Sequence, residues 1–61
     1  MRILDFFTEW TNDAATAVNA ITNRFPCFVE LKSVEMNWTE VTIKARQEDM
    51  PKIEILLAGI V

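Results

Sequence analysis

The apolar positions change their period twice along the 61 residues. Ile3, Phe7, Trp10, Ala14, Ala17 and Ile21 recur at alternating spacings of four and three, which is one continuous helical stripe. Leu4, Phe6 and Val18 widen it, and Asp5, Glu9, Asn12, Asp13, Thr16, Asn19 and Asn23 take the other side. The pattern predicts an amphipathic helix over residues 3–24. Pro26 ends it, because the residue before a proline is pushed out of the helical region. Thr and Asn are mediocre helix formers, so packing of the stripe must supply most of its stability. Thr11-Asn12-Asp13 could cap a second helix and break the first, yet the stripe keeps its phase across that point.

The middle of the chain alternates instead. Thr39, Val41, Ile43 and Ala45 interleave with Glu40, Thr42, Lys44 and Arg46, the pattern of a half-buried strand. It is predicted over residues 39–47, paired with residues 28–36 in a β-hairpin that turns around Asn37-Trp38. Alternation in the partner slips, since Val29 and Leu31 are odd while Val34 and Met36 are even. One extra residue near Lys32-Ser33, a β-bulge, restores a single apolar face. That register sets Val34 against Val41, Met36 against Thr39, and Leu31 near Ile43. Trp38 suits positive φ badly, so the turn is expected to be distorted or longer.

The last segment starts with Glu48-Asp49-Met50-Pro51, acids before a first-turn proline that accept free N–H groups and suit the positive helix end. Ile53, Leu56, Leu57 and Ile60 then fit a short helix over residues 50–60, with Ile55 as the dissenter. The reading is α+β in one small domain, residues 1–61: helix, hairpin, helix. Its alternative is a helix followed by a three-stranded antiparallel meander.

Composition alters this picture in two ways. The chain has no His or Tyr, one Cys, one Gly, and nine acidic residues against six basic ones. General acid–base work is left to carboxylates, lysine or Cys27, and Cys27 has no histidine to activate it. It reads as a small buried hydrophobe. Cys/His zinc sites and phosphate-cradling glycine loops lack their residues, so no cofactor or metal is expected and the protein reads as non-enzymatic. Asp5, Glu9 and Asp13 fall at i, i+4, i+8 of the predicted helix, an acidic face without further cation ligands. A net charge of −3 opposes direct nucleic-acid binding. Lys32, Lys44 and Arg46 cluster at one end of the hairpin's outer face, with Glu30 as a cross-strand partner.

A lone cysteine, Asp5 and Glu9 interrupting any leader core, and the absence of a long apolar run point to a reducing, cytoplasmic setting away from membranes. Two Trp and four Phe are large groups for so few elements to cover, and an isolated hairpin leaves both edges unpaired. Another chain is therefore expected to complete the fold, as a homo-oligomer (a dimer) or in a heteromeric complex. Trp38, at the hairpin tip among polar positions, is the leading partner-binding residue, flanked by Glu35, Asn37 and Glu40. The expected function is protein–protein binding by a small inhibitor or regulator, a size class that includes factors encoded by phages and mobile elements. The alternatives are a self-assembling structural or accessory subunit, and an acidic decoy that occupies a nucleic-acid-binding cleft.

Overall fold

The computed structural model describes residues 1–59. In chain order its elements are β1 (Arg2–Glu9), α1 (Asn12–Arg24), β2 (Cys27–Glu35), β3 (Trp38–Ala45) and α2 (Met50–Leu57). The protein is α+β, with a three-stranded antiparallel sheet in the order β1-β3-β2. The hairpin and the C-terminal helix are where the periodicity puts them. The third strand exists too, but it comes from the N-terminus.

The predicted helix over residues 3–24 is thus corrected in its first half. Residues 2–9 are strand, and the helix begins only at Asn12. Ile3, Phe6, Phe7 and Thr8 are β-branched or aromatic, types that lose side-chain freedom in a helix and fit a pleated surface. Thr11 supplies the break: extended at φ −114°, it accepts a hydrogen bond from the Ala14 N–H at 3.2 Å, as an N-cap does. The unbroken apolar stripe is a coincidence of period. Leu4, Phe6 and Thr8 face the core in a two-residue repeat, while Ile3 and Phe7 point the other way.

β3 is the centre of the molecule. Thr39, Val41, Ile43 and Ala45 are all buried, and both edges of β3 are paired. Both helices cover this one face. Val18 and Ile21 of α1 join Val41, Ile43, Ala45, Met50, Ile53 and Leu57 in a single buried cluster, flanked by Leu4, Phe6, Trp10, Phe25 and Val29. Ile55, the dissenter in the helical pattern, points to solvent. α2 stops at Leu57 with Ala58 as its C-cap and Gly59 in a turn, short of the predicted end, and residue 60 lies outside the described residues.

Four local expectations are revised. Leu31 pairs with Val41 and Val29 with Ile43, so the predicted Val34–Val41 register gives way to one that keeps Cys27, Val29 and Leu31 on the helix side. The bulge is present but lies between Ser33 and Glu35, nearer the turn. The turn is Met36-Asn37, with Glu35 paired to Trp38 and φ of +52° at Met36. Positive φ at the first loop residue is the habit of a type II′ turn, strained for a side chain bulkier than glycine. Finally, Asp49 makes no side-chain cap to α2. Its carboxylate instead accepts a hydrogen bond from Arg46 Nε at 2.9 Å, and its backbone carbonyl takes the Ile53 N–H.

Candidate protein-binding face

Covering one face of the sheet with helices leaves the other open. Strand alternation puts Ile3, Asp5, Phe7 and Glu9 of β1, Trp38, Glu40, Thr42 and Lys44 of β3, and Phe28, Glu30 and Lys32 of β2 on that side. Beyond the bulge, Glu35 joins them opposite Trp38. Opposed residues form four rungs across the strands. They read Ile3-Lys44-Phe28, Asp5-Thr42-Glu30, Phe7-Glu40-Lys32 and Glu9-Trp38-Glu35.

Two properties set this face apart. First, it holds large apolar groups in water: Ile3 is 63% exposed, Phe7 59%, Phe28 66% and Trp38 48%. Second, its charges are Asp5, Glu9, Glu30, Glu35 and Glu40 against Lys32 and Lys44. Five carboxylates less two lysines leave −3, the net charge of the whole chain. The remaining charges, Arg2, Arg24, Arg46 and Lys52 against Asp13, Glu48, Asp49 and Glu54, cancel. The acidity of the protein therefore belongs to one side of one sheet.

Within the face, Thr42 donates its hydroxyl to Asp5 Oδ1 at 3.3 Å. A hydrogen bond with the Asp5 carboxyl, then desolvation and the Asp5 charge, raise the Glu40 pKa, with Lys32 opposing. Asp5 and Glu40 are diagonal neighbours across the two strands, and an opposing cation would favour the charged form of Glu40. At the turn end, Phe7, Glu9, Asp13 and Trp38 help to wall a shallow groove of about 360 Å³. A second, apolar groove of about 280 Å³ lies on the helix side, between Leu4 and Phe6 of β1 and Leu57 of α2.

Of the residues singled out from the sequence, Trp38, Glu35, Glu40, Asp5 and Glu9 meet on the open face. Asn37 lies beside them in the turn, where its carbonyl accepts the Trp10 N–H at 2.8 Å. Asp5, Glu9 and Asp13 do not form a helix face: the first two are on β1 and Asp13 is in the first turn of α1. Trp38 is the first residue of β3 rather than the hairpin tip. The basic trio does not cluster. Lys32 opposes Glu40, Lys44 stands between Ile3 and Phe28, and Arg46 folds onto Asp49 and Glu48. Glu30 opposes Thr42. The sequence does not single out Ile3, Phe7 and Phe28 for this face, because the spacing of the first two also fits a helical stripe.

Burial, followed by the Asp49 charge, pushes the Cys27 thiol up, and its Sγ lies 4.0 Å from the Ile21 carbonyl oxygen, so it stays a protonated thiol. Among the described residues no three or more Cys, Asp or Glu are grouped to hold a metal ion, and no helix is long and apolar enough to cross a membrane. Compared with protein-family models, with curated proteins and with solved structures, the chain matches none of them.

Proposed function

We propose that the protein acts by binding a larger protein through the open face of its sheet, as a non-enzymatic inhibitor or regulator. The observation that carries this reading is the coincidence on that face, among the described residues, of four exposed large apolar side chains and the entire net charge. Isolated exposed apolar residues are ordinary, but four large ones interleaved with charge on a single sheet face, Phe7 and Trp38 on adjacent rungs, mark an interaction surface. Its complement is an apolar patch bordered by lysine and arginine. Trp38, set between Glu9 and Glu35 and one rung from Phe7, is the anchor, since aromatic residues inside a polar rim dominate binding energy. The carboxylates would steer the encounter and set its salt dependence. No cofactor is needed, and the single unpaired Cys27 suits a cytoplasmic setting.

One observation favours a sharper form of the same reading. Acids placed at strand spacing beside aromatic rings resemble phosphates beside bases, so the partner's patch is in this form a nucleic-acid-binding cleft. The test compares proteins captured from cell lysate by the native chain, by Phe7→Thr with Trp38→Thr, and by Glu35→Lys with Glu40→Lys. Threonine keeps the strand propensity. Both variants are expected to lose the native chain's partner, with the native association slowing as salt is added. Equal capture by all three chains overturns the reading. Displacement of the partner's DNA or RNA by the native chain supports the decoy form, and a ternary complex with nucleic acid refutes it.

A further inference from the structure

The sheet has two free edges, β1 and β2, and they differ in charge. The outward charges of β1, Asp5 and Glu9, are both acids. Before its bulge, β2 carries one of each sign, Glu30 and Lys32, two residues apart on the same face, and Glu35 follows beyond the bulge. Between them, on the helix side, Leu31 is 50% exposed although it sits on the strand face that Cys27 and Val29 turn toward the core. We propose that β2 pairs with β2 of a second copy of this chain, antiparallel about a two-fold axis through Leu31.

The register follows from the residues. With Leu31 opposite its own copy, Glu30 faces Lys32 and Lys32 faces Glu30, so the two-fold repeats the opposite-charge pair on both sides. Val29 faces Ser33, and the two half-exposed Leu31 side chains cover one another. A two-residue shift sets Glu30 against Glu30 or Lys32 against Lys32. A one-residue slip turns one copy over and sets Leu31 against Glu30 or Lys32. The bulge between Ser33 and Glu35 ends the regular ladder, so pairing spans residues 29–33. The product is a six-stranded sheet with all four helices on one side. Its two open faces lie side by side, and the pairing does not depend on what those faces bind.

Sedimentation of the native chain over a concentration series is expected to show a monomer–dimer equilibrium. Glu30→Lys sets lysines against lysines, and Lys32→Glu sets acids against acids. Each variant alone is expected to be monomeric with a native circular dichroism spectrum, because both positions are exposed. Mixed in equal amounts they restore complementary pairs, and dimer is expected to return as the heterodimer. A native chain that stays monomeric up to its solubility limit overturns the proposal. So do single variants that dimerise like the native chain, and so does a mixture that stays monomeric.

Discussion

Glu40 shows how one residue reports on the open face. Its neighbour Asp5 raises its pKa above the ordinary glutamate value of about 4.3. A carboxyl whose folded pKa is raised binds its proton more tightly folded than unfolded. Its contribution is therefore fully present below the unfolded pKa and is lost as the pH rises through the folded one. Glu40→Gln removes this dependence. In thermal melts across that acidic window, the native chain is expected to lose stability with rising pH relative to the variant. Parallel curves would show that the Asp5–Glu40 contact contributes nothing. The same residue belongs to the proposed interface, where a partner's cation would favour its charged form.

At the scale of elements, the decisive signal is the short run Thr11-Asn12-Asp13. The amphipathic stripe and the capping signal compete over residues 3–24, and capping prevails. Residues 2–9 make cross-strand contacts with β3 that a continuous helix would forgo, and Thr11 satisfies one of the orphan N–H groups at the start of α1. Thr11→Ala is expected to cost about 1 kcal/mol in urea denaturation. An unchanged midpoint would mean that the Ala14 N–H is equally well satisfied by water. α2 contrasts with α1, because Asp49 forgoes capping for Arg46. There the start rests on Pro51 in the first turn and on the burial of Met50 and Ile53.

At the scale of the whole molecule, size sets the stability. A domain this small holds roughly 3–5 kcal/mol, and its buried cluster holds eight of the described residues. Ile53→Ala, a fully buried deletion in α2, is expected to cost about 2–5 kcal/mol and so to leave much of the chain unfolded in water. Far-ultraviolet circular dichroism at 25 °C would read this as lost helix and sheet, and a native spectrum with an unshifted urea midpoint would contradict it. The large apolar residues divide between two destinations. Leu4, Phe6, Trp10 and Phe25 pack against the core, while Ile3, Phe7, Phe28 and Trp38 remain outside it. The exposed aromatic residues, Phe7, Phe28 and Trp38, thus all lie on one side of the sheet.

The α+β class, β3 and α2 were legible from the amino-acid order alone, because a two-residue repeat and an acid-proline helix start are local signals. So was the acidic, histidine-free chemistry, which needs only counting. Trp38, Glu35, Glu40, Asp5 and Glu9 could be singled out by type, but not as one surface. Two features depended on tertiary structure. The apolar spacing of residues 3–9 fits both a helix and a strand, and the choice rests on a free edge of β3, some 35 residues away, that takes up the backbone groups of β1. The joining of acids and aromatics on one face follows from that pairing, since it sets β1 beside β3 and β2 in register. Residue types specify what a surface can bind, and long-range strand pairing decides which residues share that surface.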